Sequence, residues 1–205
     1  MIVDTEPRQH PGSFVDPAGF VYEVNGRILR GIRPEFATFY SGLLEDQPIH
    51  GMIGREIVET EVEPDGLEGY PLTLRHRAIS PVSFPYEWAP EMLRDAALLT
   101  LDICIKLADQ GLVLQDASPW NVVFEGPRPI FVDFTSIVPQ DSNLLWVAYD
   151  QFCRLFLYPL ALFNYLPGRV VRSLLTNSLN GVSPDEVAQL LPACAALRKI
   201  GRAHV

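Results

Sequence analysis

Leu114-Gln-Asp-Ala-Ser-Pro-Trp-Asn-Val-Val-Phe124, followed by Ile130-Phe-Val-Asp-Phe-Thr-Ser136, is the stretch on which the fold turns. Asp116 and Asn121 lie five residues apart in a polar loop, and Asp133 closes an apolar run twelve residues after Asn121. Val122-Val-Phe124 and Ile130-Phe-Val132 read as short strands joined by a turn over Glu125-Gly-Pro-Arg-Pro129. Such a hairpin brings Asn121 and Asp133 to one end, beside the loop that holds Asp116. An amide and two carboxylates converging there suit a hard divalent cation such as Mg²⁺, which takes oxygen ligands and needs few of them from protein.

This arrangement resembles the catalytic loop and metal-binding aspartate of the protein-kinase-like phosphotransferases, including their aminoglycoside- and choline-kinase-like branch. The resemblance implies an α+β, two-lobed, protein-kinase-like fold with a small β-rich N-lobe and a helical C-lobe. It implies that Asp116 accepts the proton of an attacking hydroxyl, and that Asn121 and Asp133 hold Mg²⁺ against the phosphates of ATP. The sequence departs from the family pattern at Leu114-Gln115, where a His-Arg or His-Gly pair is usual, and at Thr135, where the metal-binding aspartate is usually followed by Phe-Gly. There is no Gly-x-Gly-x-x-Gly loop. The two lysines, Lys106 and Lys199, both fall in the C-terminal half. The strand cation such a site needs is left to Arg30, Arg75 or Arg77, whose planar fork meets phosphate differently from a lysine.

The surrounding chain fits that frame. Its 205 residues, 48% hydrophobic and 20% charged, suffice for one large domain or two lobes. A net charge of −9 argues against a phosphate-backbone binder, so no nucleic-acid partner is expected. Three widely separated cysteines, Cys104, Cys153 and Cys194, read as reduced thiols of a cytoplasmic protein. The opening residues lack the apolar segment of a signal peptide, and no membrane span is expected.

Four segments are expected: a loose start over 1–17, the N-lobe over 18–87, the C-lobe over 88–199 and a non-native tail over 200–205. In the N-lobe, Phe20–Arg30 is a hairpin around Asn25-Gly26, 34–46 a helix, and 55–64 and 70–80 strands about Asp65-Gly66. Phe84-Pro-Tyr-Glu-Trp88 marks the join. In the C-lobe, a long helix opens at Pro90 and closes at Gly111, 143–166 is a buried helical stretch, and Ser183-Pro-Asp-Glu186 caps a last helix. The largest cleft is expected between the lobes, lined by Asp116, Asn121 and Asp133.

A second resemblance spans residues 16–192. Asp16-Pro-Ala-Gly-Phe20, Phe84-Pro-Tyr-Glu-Trp88, Asp116-Ala-Ser-Pro-Trp-Asn121, Arg128-Pro-Ile-Phe-Val-Asp133 and Trp146-Val-Ala-Tyr-Asp-Gln-Phe-Cys153 occur in that order. They are similar to the N-terminal region of large bacterial proteins of the class I S-adenosylmethionine-dependent methyltransferase family. That implies a fused C-terminal methyltransferase domain, which alone would bind S-adenosylmethionine, since no Gly-rich cofactor turn is present here. The final Ile200-Gly-Arg-Ala-His-Val205 matches one reading frame of a sequencing adapter, so the natural chain is expected to continue past Lys199. Two functions stand side by side: a phosphotransferase acting on a small-molecule acceptor, and a non-catalytic nucleotide-sensing or substrate-presenting module for the fused domain.

Overall fold

The computed structural model describes residues 7–10, 13, 16–141, 145–177 and 180–191. The expected tail over 200–205, and Cys194, lie outside them.

The N-terminal half is a five-stranded antiparallel sheet in the order β1-β2-β3-β5-β4. Its centre is the hairpin of β2 (Gly19–Val24) and β3 (Arg27–Ile32), turned by Asn25 and Gly26 at φ of 52° and 74°. Those paired positive φ values make the tight turn whose twist suits a hairpin, and Asn-Gly supplies them at little steric cost. β1 (Arg8–Gln9) pairs with Tyr22 and Glu23 on the outer edge, so part of the segment expected to be loose is in fact a strand. The backbone groups of β2's outer edge, otherwise unpaired, give that segment its partner.

α1 (Pro34–Glu45) has Pro at its start, where the missing N–H costs nothing. It buries Tyr40 and Leu43 against the sheet and the C-lobe. Sequence reading missed α2 (Gln47–Met52), which begins at once because the Asp46 side chain caps Ile49 N. β4 (Thr60–Val62) and β5 (Leu72–His76) are shorter than their expected spans, since 55–59 leaves the sheet to bridge the lobes. Val58 N donates to Phe131 O and Phe131 N to Glu56 O, both at 2.8 Å. A backbone staple thus ties the N-lobe to the functional hairpin.

The C-terminal half is helical around two small ladders. α3 (Pro90–Ala108) buries Leu93, Ala96, Ala97, Ile103 and Leu107 along one face, and Gly111 at φ 67° turns the chain out of it. β6 (Leu112–Leu114), absent from the sequence reading, pairs with β9 (Ile137–Pro139). β7 (Val122–Glu125) pairs with β8 (Arg128–Phe131). The turn between them shrinks to Gly126-Pro127, tighter than expected, because Glu125 and Arg128 pair both along the ladder and through their side chains.

The expected helix over 143–166 starts at α4 (Tyr149–Phe152), passes through a π-helical turn at Cys153–Leu157, and resumes as α5 (Tyr158–Phe163). Pro159 has no N–H to close a regular turn, so the wider turn comes where the ordinary ladder must be interrupted. α6 (Gly168–Asn177) and α7 (Pro184–Leu190) follow, the latter with the expected capping box from Ser183 and Glu186. A single core runs through both lobes, from Ile32 and Leu74 to Phe134 and Phe156. Leu162, Val171, Val182, Val187 and Leu191 form a second, smaller cluster. No helix among the described residues is long and apolar enough to cross a membrane.

Candidate active site

Four strand ends meet at the site. Asp116 follows β6, Asn121 precedes β7, Asp133 follows β8 and Ser136 precedes β9. Val132 N donates to Asn121 O at 2.8 Å, which locks the two ends of the β7–β8 hairpin together. The Asp116 loop is held from below: Gln115 N donates to Ser136 O (2.8 Å) and Asp116 N to Ser136 Oγ (3.1 Å). Ala117 N donates to Gln151 Oε1 at 2.6 Å. Ser118 then caps a single 3₁₀ turn at Pro119–Asn121, its hydroxyl accepting from Trp120 N (3.3 Å). The backbone thus sets Asp116 and Asn121 on one loop and ties the Asn121 end of that loop to the segment that leads into Asp133.

The structure separates the three candidate arginines. Arg30, at the middle of β3, reaches across to the C-lobe and forms an ion pair with Asp133 at 3.0 Å. Its Nη1 also meets the Asp16 carboxylate and the Thr135 hydroxyl. Arg75 and Arg77 go elsewhere. Arg75 pairs with Glu61 and Glu63 on the outer face of the sheet, and Arg77 with Glu59 and, through both terminal nitrogens, Glu125 (2.5 and 3.2 Å). Antiparallel register explains the split: Arg30 opposes Leu74 and shares its inward face, whereas Arg75 opposes Leu29 and Glu61 across the pleat. Arg75 and Arg77 thus do not join the site.

Asp16 and Thr135 complete it, and neither was singled out for chemistry in the sequence. The Thr135 hydroxyl lies 2.6 Å from Asp16 Oδ2 and 3.0 Å from Asp133 Oδ1, so one small group touches both carboxylates. Asp16 sits on the connection between β1 and β2, where its Oδ1 accepts from Ala18 N at 2.8 Å, an Asx-type turn. The legible signal was Asp16-Pro17, a turn opener, which says nothing of a role. Tyr40, from α1, donates to Thr135 O at 2.7 Å and closes the site from behind.

Electrostatics follow from crowding. Asp133 has its carboxyl pKa raised, first by burial, with Asp16 and Asp116 adding repulsion and Arg30 pulling the other way. Burial also pushes the Tyr40 phenol well up, so it stays a donor. Beneath Arg30, His76 is buried and its pKa is pulled down to about 3, by desolvation and then by the Arg30 charge. Thr60 spends its proton on Val58 O (2.9 Å), so its oxygen accepts from His76 Nδ1 (2.9 Å), and Nε2 is left as a bare acceptor.

A hollow of about 400 Å³ lies over Val113, Val138, Leu145 and Val147, and one of about 250 Å³ over Asp150, Gln151, Arg154 and Asn180; neither is lined by Asp116, Asn121 or Asp133. The space beside Asp133 is taken by the Arg30 side chain and its two carboxylates. For a cation, the donors that fit are Asn121 and Asp133, a sparse pair of the kind Mg²⁺ completes with water. Asn121 Nδ2 is buried without a partner, an amide not yet committed. Among the described residues, no group of three or more His, Cys, Asp or Glu side chains is arranged to hold a metal.

A strand-borne cation meets an aspartate at the foot of a loop-hairpin, under a five-stranded antiparallel sheet with a helix between its third and fourth strands. The fold is α+β, with a sheet-rich N-terminal half followed by a helical C-terminal half, as expected. No family model matches the chain. Nodulation protein NoeA of Rhizobium meliloti (strain 1021) is 35% identical over 162 residues, which cover 76% of this chain and 34% of NoeA. The chain thus spans about a third of the length of that relative. Among solved structures, a variant of the Mycobacterium tuberculosis PknI kinase domain aligns over 96% of this chain and 87% of its own, at a TM-score of 0.48 and 16% identity. A second PknI variant aligns over 93% and 82%, at 0.45 and 17%.

Proposed function

We propose that this chain is a nucleotide-binding module that holds Mg²⁺-nucleotide phosphates through Asn121, Asp133 and Arg30, and that Asp116 takes the proton of a small-molecule acceptor. The observation that carries it is the Arg30–Asp133 pair across the lobes. It supplies, from the strand where a kinase-like site needs one, the cation that the lysine-poor N-terminal half lacks. Asn121 and Asp133 would hold Mg²⁺, which would supply positive charge against the phosphates. The chain's own contribution is positional: Asn121 and Asp133 orient the phosphates, while Asp116, held by Ser136, faces the acceptor.

The test is thermal. Mg²⁺ with ATP or ADP should raise the melting temperature through mass-action linkage, and Asp133→Asn should remove most of the rise. Slow phosphotransfer or ATP hydrolysis should then be lost in Asp116→Asn with binding retained. No thermal response to any nucleotide would sink the reading.

A second reading draws on two observations: Arg30 already pairs with two carboxylates of the chain, and the related NoeA is about three times longer than the matched segment. In it the module senses nucleotide, or presents substrate, for a fused methyltransferase domain without transferring phosphate. Binding without turnover, together with S-adenosylmethionine binding only by a longer protein that carries the further domain, would favour it. Tight S-adenosylmethionine binding by this chain alone would overturn that division of labour.

A further inference from the structure

We propose that Asp16 is a built-in stand-in for ligand phosphate: in the free protein its carboxylate occupies the place on the Arg30 guanidinium that anionic oxygens of a bound nucleotide or pyrophosphate would take. This rests on the nucleotide reading above, and adds to it the identity of the group the ligand must displace.

The arrangement has the features of a phosphate subsite with its own occupant. The Arg30 side chain is only 8% exposed and carries two carboxylates at once, Asp16 and Asp133. One guanidinium charge therefore faces two negative ones in a site with little water, a balance that favours sending one carboxylate back to solvent. Asp133 is the fixed partner, set by the end of β8 and by its own contact with Thr135. Asp16 is the displaceable one, because it sits in the connection between β1 and β2, whereas the backbone at Asp133 is tied on both sides by Val132 N to Asn121 O and Ser136 N to Asp133 O. Besides Arg30, Asp16 is held by the Thr135 hydroxyl, which keeps Asp133 as a partner when Asp16 leaves, and by the local turn to Ala18 N, which can move with it.

Two buried nitrogens show that the site is incompletely paired with Asp16 in it. Arg30 Nε and Asn121 Nδ2 are both buried donors without a partner. Buried donors are normally satisfied, and each orphan costs stability until an acceptor arrives. A carboxylate offers two oxygens, whereas a phosphoryl group offers three with more charge, in the geometry a guanidinium fork accepts. Mg²⁺ on Asp133 and Asn121 would at the same time relieve Asp133 of its need for Arg30. The outgoing Asp16 carries its own charge into water, so no proton or covalent bond changes hands.

The experiment compares the full chain with Asp16→Asn, which keeps an oxygen for the Ala18 turn and removes the charge, and with Asp16→Ser as a second variant. Calorimetry is run with pyrophosphate, ADP and ATP, each with Mg²⁺. A self-ligand lowers apparent affinity by the fraction of time it occupies the site, so both variants should bind at least about tenfold tighter than the unaltered chain. Equal or weaker affinity in a variant that melts like the parent overturns the stand-in and leaves the nucleotide reading intact. Tighter pyrophosphate with no nucleotide binding supports the stand-in and removes the nucleotide. No binding of any of the three by any variant overturns both.

Discussion

Removing the Arg30 side chain leaves Asp16 and Asp133 facing each other across a buried gap, with Thr135 between them. Breaking a buried ion pair from one side costs about 3–5 kcal/mol, because the remaining charge is stranded. Arg30→Ala should therefore lower the unfolding free energy from urea melts by that amount, and Arg30→Ala/Asp16→Asn should recover part of it, a coupling that a double-mutant cycle measures. His76 gives a pH prediction. Its folded pKa of about 3 lies below the unfolded value near 6.5, so the unfolded chain takes up a proton that the folded chain refuses. Stability is full above about pH 6.5 and is lost as pH falls toward 3, by about 2 kcal/mol at pH 5. Urea melts at pH 7 and pH 5 should show that loss in the parent and little of it in His76→Gln; an unchanged slope in the variant would refute the assignment. At this scale the loop trio was legible because its residues are close in sequence and bounded by turn formers and β-branched runs. Arg30 was not separable from Arg75 and Arg77, since only strand register decides which arginine faces inward. Asp16, 119 residues before Thr135, had no sequence signal tying it to its partner.

Among the elements, the β7–β8 hairpin is the one whose shape the site depends on. Gly126 sits at φ 58° in a two-residue turn, a conformation that a side chain resists. Gly126→Ala should cost about 1 kcal/mol, and Gly126→Asn less, because asparagine tolerates that region. Circular dichroism melts rank the two. The Asn25-Gly26 hairpin and the Ser183 capping box were read correctly because their signals are local and chemical. β1 and β6 were missed for the opposite reason: two and three residues are too short for an alternating pattern, and both exist because a distant strand needs a partner. The helix over 149–163 was legible as helix, but its π turn was not, since Pro159 announces an interruption and not its form.

At the scale of the molecule, the lobes are stapled by the Glu56–Val58 backbone on Phe131, by Tyr40 on Thr135 and by Arg30. Ile57 and Phe131, both fully buried, lie in one core that runs through both halves. Equilibrium urea unfolding followed by tryptophan fluorescence, and separately by far-ultraviolet circular dichroism, should give coincident curves for the main body. Two resolved transitions, with the sheet lost first, would mean that the staple does not couple the halves. The change from a strand-rich half to a helical half was legible from the turn-bounded strands before Phe84-Pro-Tyr-Glu-Trp88 and the long helix that opens at Pro90 after it. That the halves share a core was not, because it depends on 55–59 leaving the sheet to pair with β8.

The small cluster of Leu162, Val171, Val182, Val187 and Leu191 has few apolar partners in the main core. A helix pair resting on so little buried surface opens without asking the rest of the protein to follow. In native-state hydrogen exchange, the amides of α6 and α7 should therefore trade protons well before those of α3, and limited proteolysis should clip the chain beyond Phe163 while residues 19–163 stay whole. Ser183→Ala, which removes the cap of α7, should speed both by the equivalent of about 1 kcal/mol and leave the exchange of α3 untouched.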